Sequence, residues 1–219
     1  MSAGRAHSLF PDKIFSFAFP ARGLPLLTNE VPDASAGTED ARAPRRKRRM
    51  VVIGTIAAVF LAFCGLTARL FIFPASGMPA RVDAIVMMAG PGNRYSTALN
   101  LAYQHRAPVL VISTGNDHGP IGHCGPPVPG VRVICFNPNP DTTQGEAEYA
   151  ARLARQYHWH SIALVTITPQ DSRARLRMER CFGGHVYVMP APIRLLLWPY
   201  ELAYEWGATI KALTINRSC

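Results

Sequence analysis

The chain has 219 residues, 48% of them hydrophobic and 17% charged, with a formal net charge of +9. The first 49 residues are too polar and too broken by Pro and Gly to bury a core, which excludes a second globular domain and leaves one of ordinary size. Nucleic acid is excluded as the expected partner, because the positive charge is split: nine basic against five acidic residues up to Arg49, thirteen against nine after Pro74, and Arg69 between them.

Residues 1–49 are expected to form a disordered cytoplasmic tail that ends in five consecutive basic residues, Arg45 to Arg49. Nineteen residues without a charge follow, Met50 to Ala68. An apolar run of this length crosses the roughly 30 Å hydrocarbon core of a bilayer as one helix. Residues 50–73 are therefore read as a single-pass anchor whose partner is the lipid bilayer, with Arg69 snorkelling at its end. Arg42 and the basic five flank it on one side and only Arg81 on the other. The positive-inside rule then keeps the N-terminus cytoplasmic and displays residues 74–219 outside the cell membrane. The basic cluster abuts anionic headgroups. A cleaved signal peptide is the alternative, but its apolar core is normally shorter and nearer the start. A buried helix of a soluble protein would leave Arg45 to Arg49 unexplained.

Four cysteines, Cys124, Cys135, Cys181 and Cys219, fall on the side expected to be oxidising, where an even count commonly means disulfides. Cys124 with Cys135 would staple a Pro- and Gly-rich loop, and Cys181 would then pair with Cys219; free buried thiols are the alternative. No cysteine spacing is a zinc pattern, and neither a metal nor a cofactor is expected.

In the outer domain, short apolar β-prone runs alternate with helical patterns. Strands are predicted at Ala84–Met88, Pro108–Ser113, Val131–Phe136, Ser161–Thr166 and His185–Met189. The helices between and after them run from Arg94 to Gln104, from about Gln144 to Tyr157, from about Pro169 to Arg180 and from about Tyr200 to Ala212. This alternation argues for a parallel sheet with helices on both faces, and such sheets bind ligands beyond the carboxyl ends of their strands. The apolar segment Ile193 to Trp206 is interrupted by Arg194, Pro199, Glu201 and Glu205, so a helix docked on the sheet is expected, with contact to the nearby bilayer surface as the alternative.

The strand-end loops carry the chemistry: Ala89 to Arg94, Ser113 to Asp117, Asp141 to Glu146 and Thr166 to Arg173. Glycines allow close backbone approach, and helix N-termini direct free N–H groups at an anion. The pattern is that of a phosphate-binding crevice, although Gly90-Pro91-Gly92 is neither a dinucleotide fingerprint nor a Walker loop. Gly90, Gly92, Ser113, Thr114 and Gly115 would supply donors, Arg94 and Arg173 would neutralise charge, and Thr143, Thr166 and Gln170 would bond ligand oxygens. Glu146 is the acid or base candidate. Thr143 with Glu146 also fits a capping box, and Arg173, Arg177 and Arg180 share one helix face, read mostly as a solvated one. Asp117, His118, His123, Asp141 and Asp171 are further titratable groups near strand ends.

The motif order Ile85-Val86-Met87 with a Gly-rich loop and Arg94, Val111 to Gly115, Thr142 to Ala147, and Val165-Thr166 with Arg173-Ala174 resembles the YdcF-like family of bacterial envelope proteins, which includes the SanA and ElyC types. The resemblance covers Val82 to Leu213. It implies a Rossmann-like three-layer α/β sandwich with a five-stranded parallel sheet in the order 3-2-1-4-5, preceded here by one transmembrane helix. It also implies a role in cell-wall precursor or carrier-lipid metabolism. The family usually has Thr-Ser-x-Tyr-His before the arginine, whereas this chain has Thr166-Ile167-Thr168-Pro169-Gln170, and glutamine cannot shuttle a proton. Three functions stay open: an envelope enzyme acting on a phosphorylated precursor or carrier lipid, a non-catalytic module binding a nucleotide-like ligand, and an anchored interaction protein.

Overall fold

A computed structural model describes residues 42–115 and 124–219. The expected tail lies outside these residues except for 42–49, which are helical. Helix α1 runs Arg42–Thr67 and widens into a π-helical turn at Ala68–Ile72. Among the described residues this is the one helix long and apolar enough to cross a membrane; the candidate span is Arg45–Ile72, and an 18-residue window within it has a mean hydropathy of 2.4. At 1.5 Å per residue, its 28 residues reach about 42 Å.

The residues that follow α1 form an α/β fold. Five strands, β1 (Ala84–Met87), β2 (Val109–Ser113), β3 (Arg132–Phe136), β4 (Ser161–Ile167) and β5 (His185–Ala191), form one parallel sheet in the order β3-β2-β1-β4-β5. The register pairs Val86 with Val111 and with Leu164. The helices are α2 (Arg94–Tyr103), α3 (Thr143–Tyr157), α4 (Asp171–Cys181) after a 3-10 turn at Thr168–Gln170, and α5 (Trp198–Thr214). β1 is buried along its whole length, β2 and β4 all but their first residues, as a sheet covered on both faces requires. Val86, Val111, Ile162 and Leu164 pack towards Ala150, Ala174 and Met178 of α3 and α4, while Ile85, Leu110, Ile112 and Val165 pack towards Ala98, Leu101 and Ala102 of α2.

Both disulfides are present, Cys124–Cys135 and Cys181–Cys219, with Cα separations of 5.6 and 4.9 Å. The second holds the C-terminus against α4, and Cys64 is free in the span.

Two expectations need correction. The cap of α3 is Thr142, whose hydroxyl accepts from the Gly145 N–H at 3.2 Å, so Thr143 with Glu146 is not a capping box. A Cβ on Gly145 would meet the Pro140 carbonyl at 2.0 Å, and this close approach sets the helix start one residue early. The arginine face of α4 is not solvated either. Arg177 donates to the Asn216 carbonyl and Arg180 to the Ala212 carbonyl at 2.8 Å, so both satisfy backbone at the C-terminal end of α5.

The C-terminal end of α1, with the π-helical turn after it, is built into the fold. Phe71 is fully buried, and the Leu70 carbonyl accepts from Ser172 Oγ at 2.7 Å at the start of α4. Trp206 of α5 donates to Thr67 Oγ1 at 3.1 Å and stacks on Phe63 with ring centroids 5.1 Å apart. This end of α1 therefore docks at the carboxyl edge of the sheet, beside the 3-10 turn that follows β4.

Candidate functional site

The sheet order reverses at β1, whose neighbours are β2 and β4, and the carboxyl ends of these strands open into a cavity of about 550 Å³. Of the expected ligand groups, Gly90, Arg94, Gly115, Thr143, Glu146, Gln170 and Arg173 line it. Gly90 and Gly115 adopt φ of +124° and +53°, conformations that favour glycine. Ser113, Thr114 and Thr166 stand behind the lining, and Gly92 lies outside it, exposed. Gly92 allows the backbone at Pro192 to come close: a Cβ there would lie 3.0 Å from the Pro192 carbonyl oxygen. Thr114 donates from its N–H and its hydroxyl to the Phe136 carbonyl at 2.9 and 3.0 Å, fastening the end of β2 to β3. Asn116, Asp117, His118 and His123 lie outside the described residues.

Arg94 is buried and directs its donors at the protein's own loop: Nε to the Pro91 carbonyl at 2.8 Å, and Nη1 to the carbonyls of Met88 and Ala89. It is thus a clamp that shapes the Gly90 turn as well as a charge in the wall. Burial lowers its pKa to about 10 against the pull of Glu146, Glu201 and Glu205.

Glu146 projects from the first turn of α3 and accepts from the Ala89 N–H at 2.6 Å. Burial raises its pKa. The Ala89 N–H, Arg94 and Arg173 oppose the rise, as does Ser113, whose buried hydroxyl lies close by without a hydrogen bond of full geometry.

A continuous polar chain closes the other wall. Thr166 Oγ1 donates to Gln170 Oε1 at 2.9 Å, Gln170 Nε2 donates to Thr143 Oγ1 at 3.1 Å, and Arg173 Nη1 donates to the same Thr143 oxygen at 2.7 Å. Arg173 grips Glu205 of α5 bidentately, Nε to Oε2 at 2.6 Å and Nη2 to Oε1 at 2.7 Å, with both side chains buried. The guanidinium lies 5.7 Å from the Tyr204 ring centroid. Burial works against its charge, but Glu205 outweighs it and raises the Arg173 pKa.

Sequence reasoning missed the roof. Glu201 and Glu205 face the cavity from α5 beside Tyr200 and Tyr204, although in the sequence they stand out only as interruptions of an apolar run. Two acids four residues apart in an otherwise apolar helix share one face, and burying that face demands cations, so the spacing itself was the signal. Glu201 is 6% exposed with no ion-pair partner within 4 Å among the described residues. Burial and then the neighbouring Glu205 raise its pKa. The wall holds Asp141, Glu146, Glu201 and Glu205 against Arg94 and Arg173, so it is more acidic than the loops alone suggest. No group of three potential metal ligands occurs among the described residues. Comparison with family models, with curated proteins and with solved structures finds no match for this chain.

Replacing Arg173 with Ala strands Glu205 as a buried unpaired carboxylate and should cost about 3–5 kcal/mol of stability. The double variant Arg173→Ala with Glu205→Leu should recover much of that loss in a denaturant-unfolding cycle.

Asp171, at the start of α4, is 1% exposed, its Oδ2 lacks a hydrogen-bond partner, and Arg175 Nε is 3.8 Å from Oδ1. Burial raises its pKa to about 6. Between the ordinary carboxyl value and pH 6 the folded state holds a proton that the unfolded state has lost, so stability should fall as pH rises through that window. Asp171→Asn should therefore raise the melting temperature at pH 7 and leave it nearly unchanged at pH 4.

Proposed function

We propose that this chain is a single-pass cell-envelope factor whose outer domain binds the phosphorylated head of an envelope precursor or carrier lipid in the crevice at the sheet's carboxyl edge. The observation that carries the reading is the convergence of four polar strand-end segments on one cavity beside the docked end of the apolar span. The motif order that resembles the YdcF-like family supports it, as do the positive ends of α2, α3 and α4, which the fold gathers at this edge. Thr143 accepts from Gln170 and Arg173, which leaves its own hydrogen for a ligand oxygen. Glu146 and Glu201, with pKa values raised by burial, take up a proton more readily and so oppose an incoming anion less than ordinary carboxylates do.

A second reading, a non-catalytic module for a nucleotide-like ligand, is favoured by one feature. Gln170 stands where the resembling family has histidine, and it is held between two threonines with no proton to exchange.

Full-length protein in nanodiscs, titrated with polyprenyl phosphate, inorganic phosphate and a nucleoside diphosphate, should bind the polyprenyl phosphate saturably. Thr143→Val should weaken this binding about tenfold, the worth of one hydrogen bond to a charged group. Glu201→Gln should tighten it by removing an unpaired carboxylate. Preference for the nucleotide, with no chemical change in it, would move the assignment to the second reading, and binding of none of the three would contradict both.

A further inference from the structure

Helix α5 is inside out. Its inward side carries Glu201, Glu205 and Thr209, all buried, while its outward side, with the turn before it, carries Leu196, Tyr200, Ala203, Tyr204, Gly207 and Ile210, all exposed. Leu196 is 89% exposed, Tyr200 66% and Ile210 53%, and no charged residue is exposed between Arg194 and Lys211. The spacing is that of one helix face, and on a helix surrounded by water the two faces would be exchanged. The inward acids are accounted for by the cavity and Arg173. Tyr200 and Tyr204 also edge the cavity, but Leu196, Ala203, Gly207 and Ile210 have no such account within the fold.

We infer that the outward face of α5 lies in the membrane interface, so that the helix separates the bilayer surface from the crevice. The inference rests on the proposed reading of Arg45–Ile72 as a membrane span. Three observations point to lipid as the occupant. Trp206, on the same helix, is bonded to Thr67 and stacked on Phe63, so α5 departs from a part of α1 that itself belongs to the apolar run. The stripe is aromatic and aliphatic, and Trp and Tyr are the residues that settle at headgroup level. Exposed Arg194 and Lys211 bracket it, placed to reach phosphates while the stripe is immersed. A ligand with a polar head and an apolar tail could then reach Glu201 and Arg173 around Leu197 and Tyr200 without leaving the lipid phase.

The test is spin labelling of the full chain in nanodiscs of phosphatidylethanolamine and phosphatidylglycerol, in a Cys64→Ser background that keeps both disulfides. Single labels go at Leu196→Cys and Ile210→Cys on the stripe, at Ile56→Cys in the span and at Arg155→Cys near the C-terminal end of α3, at the opposite edge of the sheet. The readout is the ratio of collision with oxygen to collision with a water-soluble nickel chelate. At positions 196 and 210 this ratio should be several-fold above that at 155 and should approach that at 56. Ratios equal to that at 155, with 56 lipid-like, would overturn the inference while leaving the span in place. Exclusion of both reagents from 196 and 210 would also overturn it, by showing that a protein surface such as a second copy covers the stripe. A water-like ratio at 56 would instead remove the span reading beneath it.

Discussion

The buried pair between Arg173 and Glu205 is the contact on which the arrangement of the site depends. It joins the first turn of α4 to the middle of α5 through two short, parallel hydrogen bonds, and Arg173 adds a third to Thr143 at the start of α3. Removing two charges from water costs several kcal/mol each, and only good geometry with further hydrogen bonds offsets that cost. The bidentate grip, the Thr143 bond and the Tyr204 ring supply it. Through Thr143 the network continues to Gln170 and Thr166, so the end of β4, the starts of α3 and α4 and the roof helix share one set of polar contacts.

From that constraint the remaining features follow in order. A helix held by inward carboxylates turns its apolar side outward, and its Trp206 meets the end of α1. The span in turn docks on the first turn of α4 through Leu70 and Ser172. Span, roof and crevice are therefore mechanically linked at one edge of the sheet, and the reversal of strand order at β1 leaves space there for a ligand. The proposed function needs that proximity, because a carrier-lipid head stays within reach of the bilayer that holds its tail.

Much of this frame was legible in the sequence. Five apolar β-prone runs separated by helical patterns are the strands and helices observed, because both-face burial leaves an unbroken hydrophobic signature in β1, β2 and β4. The sheet order implied by the motif resemblance is the order found, and the cysteine count in an expected oxidising compartment anticipated both bridges. What escaped were details decided by tertiary contact. The cap of α3 at Thr142 instead of Thr143 goes with the close approach of Gly145 to Pro140. Arg177 and Arg180 looked solvated because their partners are backbone carbonyls more than thirty residues away. Glu201 and Glu205 were visible as a spacing, but their meaning required knowing that Arg94 and Arg173 wait across the cavity.

The central claim, that the Arg173–Glu205 pair pins α5 over the crevice, is tested most directly by amide hydrogen exchange on the full-length protein in nanodiscs, comparing it with Glu205→Gln. The account predicts faster exchange confined to Trp198–Thr214 and the Thr168–Gln170 turn, with the five strands unchanged. Unchanged exchange in α5, or a uniform rise across the sheet, would contradict it.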